Sequence, residues 1–327
     1  MTPPPEPDGP PRDRAPDPPA RDRGLDPSAR DRALGALLGL AVGDALGTTV
    51  EFLPRGSFPP VSELTGGGPF AVLPGEGTDD TALAICLAES LLHDPLLDEL
   101  DLMDRFRRWQ AEAGPVAAGN GFDVGLTTRE AIERFGATGN PIAGDPAPEA
   151  AGNGGVMRLA PVAVRHWRSP ARARDIAARQ SRTTHAAAEA VAGAELLAEV
   201  LAALIAGGGR AALAPGGWRD APPRIRALAA GAWRDRRPEE LPSSGYVVHT
   251  LQAALCCAWH APDFERAVVT AANLGDDADT VAAVTGQVAG ALHGLSAIPP
   301  RWLARLEAAP RLLALGEALD AAACGDA

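Results

Sequence analysis

Residues 34–47 read LGALLGLAVGDALG, and this stretch decides the fold class. Gly35, Gly39, Gly43 and Gly47 recur at every fourth position, which on a helix places them along one face and leaves that face bare of side chains. Glycine inside a helix costs about 1 kcal/mol relative to alanine, so four in register need a compensating contact, and a neighbouring backbone against the bare face supplies one. Residues 279–294, DTVAAVTGQVAGALHG, repeat the device with Gly286, Gly290 and Gly294. The two bare faces are expected to pack on each other. A membrane dimerisation stripe is the structural alternative, but Asp44 interrupts a run already too short to span a bilayer.

The rest of the chain points the same way. It has 327 residues, 46% of them hydrophobic and only 4% aromatic, so alanine, leucine and glycine supply most of the apolar surface. That mix suits close-packed helices better than strands, which favour aromatic and β-branched residues. Apolar residues recur at helical spacing over 33–50, 82–92, 100–112, 171–180, 186–205, 248–259, 263–273, 279–293 and 300–319. Glycine and proline clusters at 66–70, 139–148 and 207–217 mark loops between them. The expectation is all-α, with one compact helical domain over 30–327. Residues 1–29, dense in proline, aspartate and arginine, have too little to bury to offset the entropy of ordering and are expected to form a disordered tail.

A formal net charge of -12 argues against a surface built to neutralise nucleic-acid phosphates. No charged segment followed by an apolar one opens the chain, and no apolar run reaches the roughly 18 residues of a membrane span. The four cysteines lack both C-x-x-C spacing and the density of a disulfide scaffold. A cytoplasmic monomer that contacts no membrane, with reduced, buried thiols, is expected.

Two acidic strings stand out. GTDDT carries Thr78, Asp79, Asp80 and Thr81 just before one expected helix, and NLGDDADT carries Asp276, Asp277, Asp279 and Thr280 just before another. Simple capping explains one such residue per helix, through the free N–H groups and the helix dipole. It does not explain three or four. Crowded carboxylates raise one another's pKa unless a cation sits between them, and such hard oxygens suit Mg²⁺, Mn²⁺ or Ca²⁺. With no H-x-x-x-H or paired-cysteine pattern, zinc is not expected. Capping and a metal site both remain open on pattern alone.

Seven strings in order, GALLGLAVGDALGTTVEF, GTDDT, GNGFDVGLTT, GNGGVMRLAPV, SRTTH, GYVVHTLQAAL and NLGDDADTVAAVTGQVAGALHG, resemble the motifs of bacterial ADP-ribosylglycohydrolases, including the dinitrogenase reductase-activating type. The resemblance covers about 35–294. It implies an all-α fold with two Mg²⁺ or Mn²⁺ ions and ADP-ribose bound over them. By the same resemblance the two acidic strings meet, and Thr78, Asp79, Asp80, Asp277, Asp279 and Thr280 are the metal ligands. Glu51 matches a glutamate near the metals and the scissile bond, with Glu51 or Asp277 managing the proton. Two departures bear on substrate range: an aromatic residue often stands where this chain has Gly77, leaving the cleft wall more open, and GGDTD is commoner than GDDAD, so that Asp276 adds charge.

Other residues carry two readings each. Asp123 either caps the helix near Thr127 or, as the resemblance favours, contacts the substrate ribose. Asn153, Gly154 and Gly155 form a turn whose bare amides could also cradle a pyrophosphate. His185, at the start of an alanine-rich helix, is a structural histidine or a substrate contact. Tyr246 staples a helix or stacks on adenine, the latter favoured by the resemblance. His249 is expected inside that helix. The implied activity is metal-dependent hydrolysis of the N-glycosidic bond between ADP-ribose and a protein side chain, most simply arginine, with an ADP-ribosylated protein as partner. The alternatives are another ADP-ribosyl linkage (serine, nucleic acid or a small ester) and a non-catalytic ADP-ribose-binding or immunity protein.

Overall fold

The computed structural model describes residues 28–113 and 124–325. The expected tail and Asp123 therefore lie outside the described residues, apart from 28 and 29. Among the described residues there is no β-strand, as the all-α reading requires, and there are fourteen α-helices. They are α1 (Ala29–Gly47), α2 (Asp79–His93), α3 (Glu99–Ala113), α4 (Leu126–Thr138), α5 (Gly154–Met157), α6 (Ala160–His166) and α7 (Pro170–Thr184). There follow α8 (Ala188–Ile205), α9 (Pro223–Ala229), α10 (Val247–His260), α11 (Phe264–Ala272), α12 (Ala278–His293), α13 (Pro300–Leu303) and α14 (Ala309–Gly325).

The centre of the fold is the pair α1 and α12. A methyl group added at Gly35, Gly39, Gly43 or Gly47 would lie 2.4, 2.2, 2.0 or 2.3 Å from the carbonyl oxygen of Gly290, Gly286, Ala282 or Ala278 respectively. Any side chain there would overlap the partner's backbone. The same register read forwards on α1 and backwards on α12 makes the helices antiparallel. The bare stripe of α12 thus comprises Ala278, Ala282, Gly286 and Gly290. Gly294 is not part of the helix: it caps it at φ 87°, a conformation glycine adopts without strain. Beyond its first residues, Arg30 and Asp31, α1 is apolar on every side apart from Arg32 and Asp44 and is buried from Arg32 to Gly47, the pattern of a helix surrounded by others.

Three expectations change. Residues Ala29–Val50, α1 with the 3-10 turn that follows it, are long and apolar enough to cross a membrane, but 94% of their apolar 18-residue window is buried within the fold, so its apolar surface is spent on the core. The expected helix 300–319 is two, because Pro310 is tolerated only in the first turn of α14, and the break lets Glu307 donate its N–H to Gly75 O at 3.0 Å. The short helices α5, α6 and α9 escape a search for periodicity, since two turns or fewer give no repeat to see.

Candidate active site

The antiparallel register places the end of α1 beside the start of α12. A 3-10 turn, Thr48–Val50, carries the chain from α1 to Glu51, and the backbone then clasps the segment entering α12. Phe52 N–H donates to Asp276 O at 2.7 Å and Asp276 N–H to Leu53 O at 2.9 Å. Phe52 and Asp276 both hold positive φ, 63° and 54°, which costs a non-glycine residue on the order of 1–3 kcal/mol and gathers at functional sites. The clasp brings Glu51, Asp277 and Asp279 together, with one oxygen of each within 4.8 Å of the others. α2 supplies the opposite wall, where Thr280 Oγ1 donates to Asp80 Oδ1 at 3.3 Å. The two acidic strings, 200 residues apart in sequence, do meet.

Burial and crowding set the electrostatics. Asp79 is pushed up to about 7, first by burial and then by the charges of Asp44 and Asp277. Asp277 rises to about 6 through burial, opposed by the hydrogen bond from Asn153 Nδ2 at 2.6 Å. Asp80 and Asp279 lie well above the usual carboxylate range, again through burial first, followed by the charge of Asp279 on Asp80 and of Glu51 on Asp279. Asp80 Oδ2 and Asp279 Oδ1 are buried with no hydrogen-bond donor. Native proteins rarely leave such atoms unpaired, and hard oxygens that lack donors fit a divalent cation of the Mg²⁺ type. Capping accounts for less: Thr78 caps α2 through a long 3.5 Å contact with Asp80 N–H, whereas Asp277, at the N-cap of α12, makes no side-chain capping bond.

A second cluster adjoins the first. Asn153 N–H donates to Gly245 O at 3.1 Å, Val247 N–H to Ala151 O at 3.1 Å, and Asp277 N–H to Ser243 O at 2.9 Å. Asn153, Gly154, Gly155, Tyr246 and Asp277 therefore share one neighbourhood. Gly154 and Gly155 are the first residues of α5, buried and helical, where the sequence suggested a flexible turn. Their bareness has a packing cause: a methyl group at Gly154 would lie 2.3 Å from His185 Cε1, and one at Gly155 2.5 Å from Ser181 Oγ. His185 sits at the C-terminus of α7, not at the start of α8, and burial drives its pKa down to about 3, so the ring is neutral. Tyr246 is half-buried, its hydroxyl bonded to Glu189 and Arg224, with its ring edge-on to His249 at 5.0 Å. His249, expected inside the helix, is only partly covered and bonds Ser244 Oγ at 2.8 Å.

Two charged residues at full burial, Arg158 and Asp44, lie beside the site but outside the candidates drawn from the sequence. Arg158 is fully buried against the Phe106 ring at 4.7 Å and donates to Gln180 and to Thr184 Oγ1, which meets His185 Nδ1 at 2.9 Å. Its signal was an arginine three residues after a glycine pair, too common to single out. Asp44 is also fully buried, with both oxygens on the N-terminus of α2. Its signal was plain, a lone carboxylate in an apolar helix, but was read only as an interruption. Gly77 lies against this carboxylate: a methyl group there would lie 2.7 Å from Asp44 Oδ2.

The chain resembles known proteins over nearly all of this structure. The family model described as ADP-ribosylglycohydrolase matches residues 25–326. ADP-ribosylarginine hydrolase Tri1 of Serratia proteamaculans (strain 568) is 43% identical over 287 residues, 88% of this chain and 78% of the relative. ADP-ribosyl-[dinitrogen reductase] glycohydrolase of Rhodospirillum rubrum is 36% identical over 283 residues, 84% of this chain and 90% of the relative. A solved structure described as an ADP-ribosylglycohydrolase-related protein complex superposes with a TM-score of 0.80 at 45% identity, covering 90% of this chain and 99% of its own. With its motifs in order, its helical fold and its acidic centre, the chain belongs to the ADP-ribosylglycohydrolase family and is a hydrolase.

Proposed function

We propose that the chain hydrolyses the N-glycosidic bond between ADP-ribose and an arginine side chain of a modified protein, in a metal-dependent reaction. The observation that carries this reading is the pair of buried, donorless carboxylate oxygens, on Asp80 and Asp279, at the meeting point of the two acidic strings. Thr78, Asp79, Asp80, Asp277, Asp279 and Thr280 would hold two Mg²⁺ or Mn²⁺ ions. When bound, such ions supply Lewis-acid polarisation of ribose oxygens and activation of water at neutral pH.

The chain's own residues do the rest. Breaking the bond passes through an oxocarbenium-like transition state, so the ribose must be held, a proton taken from water and the leaving group released. Glu51, within 4.8 Å of Asp277 and Asp279, takes the water proton. Asn153 holds one oxygen of Asp277 by its amide and so fixes the orientation of that carboxylate. Asn153 and the backbone amides of Gly154 and Gly155 contact the pyrophosphate, with neutral His185 beneath them. The Tyr246 hydroxyl is engaged by Glu189 and Arg224, which leaves its ring to stack on adenine. Asp123 contacts the ribose in this reading. Support for arginine as the linkage comes from the names of the relatives, two of which are ADP-ribosylarginine hydrolases.

Release of ADP-ribose from an arginine-linked and from a serine-linked ADP-ribosyl protein, measured side by side, tests the linkage. The arginine conjugate should turn over at least about 100-fold faster in kcat/KM, a difference of about 2.7 kcal/mol in transition-state binding. Preference for the serine conjugate would overturn the assignment, and turnover of neither would favour a binding protein.

A further inference from the structure

Asp44 is a buried carboxylate with no part in the chemistry above. Its two oxygens receive four groups from one end of α2. Thr78 N–H reaches both, at 3.0 Å to Oδ1 and 2.9 Å to Oδ2, and Thr78 Oγ1 donates to Oδ1 at 2.8 Å. Thr81 N–H and Thr81 Oγ1 donate to Oδ2 at 3.1 and 2.5 Å. Anchoring the helix end would need only the two backbone donors. The hydroxyls do something else, because a threonine hydroxyl has one proton and two lone pairs. The Thr78 proton is committed to Asp44, and one lone pair takes the long contact from Asp80 N–H, which leaves the other pair unused. Thr280 follows the same pattern, with its proton committed to Asp80 Oδ1. A hydroxyl free to rotate could instead point its proton at an incoming cation and repel it.

We propose that Asp44 is a positioning residue that accepts the hydrogen bond of the Thr78 hydroxyl and thereby commits the Thr78 oxygen to serve as an electron-pair donor to a cation in the acidic centre. This rests on the metal reading of the site given above. Asp44 comes from the last turn of the buried core helix α1, so the hydroxyl of a helix cap on α2 is oriented by a helix enclosed by the rest of the fold. Gly77 adjoins the same arrangement: a methyl group there would lie 2.7 Å from Asp44 Oδ2 and 2.8 Å from Thr81 Oγ1, so an added side chain would press the carboxylate out of its present position.

Mn²⁺ binding to the full chain, read from the electron paramagnetic resonance signal of free Mn²⁺, tests the proposal in four proteins: wild type, Asp44→Asn, Thr78→Val and the double variant. Each single substitution should weaken Mn²⁺ binding by about 10- to 100-fold, the range for groups that orient metal ligands, or more for the ligand itself. The double variant should bind within about threefold of Thr78→Val, because Asp44 has no hydroxyl left to orient. Multiplied losses, or unchanged affinity in a folded Asp44→Asn protein, would overturn it. If Asp44→Asn does not fold, Gly77→Ala displaces the carboxylate without removing it; its Mn²⁺ loss should likewise vanish in the Thr78→Val background, and persistence there would overturn the proposal. A wild type that binds no Mn²⁺ would overturn the metal reading itself, and the proposal with it, a result visible before any variant is made.

Discussion

At the scale of single residues, Asp279 separates function from stability. Its carboxylate is buried, lacks a donor on Oδ1 and is crowded by Glu51 and Asp277. Replacing it with asparagine removes a repelling charge at nearly constant volume. Asp279→Asn should therefore raise the melting temperature of the metal-free protein, by about 2 °C for each kcal/mol regained, while hydrolysis falls by orders of magnitude. Thermal melts in EDTA beside an ADP-ribose release assay measure both; a lower melting temperature together with full activity would assign Asp279 to helix capping. Residues of this kind were legible in the sequence because GTDDT and GDDADT are local strings whose excess of carboxylates exceeds any capping need. Arg158 was not, and Asp44 was legible only as a lone carboxylate in an apolar helix, since their partners lie 22 to 26 and 34 to 37 residues away and only the fold brings them together.

At the scale of elements, the glycine stripes make opposing demands that alanine substitution can resolve. An alanine in a helix interior gains about 1 kcal/mol over glycine by propensity alone. At Gly39 a methyl group would lie 2.2 Å from Gly286 O, an overlap that only separation of α1 and α12 relieves, and overpacking of this kind costs about 1–3 kcal/mol or more. Gly39→Ala should therefore lose on the order of 2 kcal/mol in a urea melt, the upper end of that cost less the propensity gain, and, since the stripes set the register of the acidic centre, lose activity as well. Gly136→Ala is the counterpart. It lies in α4 with open space around it, so the propensity gain should appear undiminished, as about 0.5–1 kcal/mol of added stability. Equal effects at the two positions would mean that helix contact does not govern the stripes. The fourfold spacing made this pairing readable from sequence, but the antiparallel register and the alanines that complete the second stripe, Ala278 and Ala282, emerged only from the packing.

At the scale of the whole molecule, the acidic centre ties stability to pH and, on the proposed metal reading, to cations. An aspartate in the unfolded chain titrates near 3.8, but Asp79 in the fold is pushed up to about 7, and Asp80 and Asp279 lie well above the usual range. Between those values the folded state keeps protons that the unfolded chain has lost, so stability falls as pH rises through the folded values. His185 and His293, driven down to about 3 and 4 by burial, act in the opposite sense, but chiefly below their unfolded value of 6.5. From pH 7 to 8.5 the carboxylates should dominate, and the metal-free melting temperature should drop; a rise over that window would contradict the account. On the proposed metal reading, a bound cation would reverse the balance by stabilising the ionised centre in the folded state alone. The most direct test is the rate of ADP-ribose release from an arginine-ADP-ribosylated protein, measured after EDTA treatment and again as Mg²⁺ or Mn²⁺ is titrated back. The account predicts no turnover in EDTA and recovery that saturates with added metal; undiminished turnover in EDTA would contradict it.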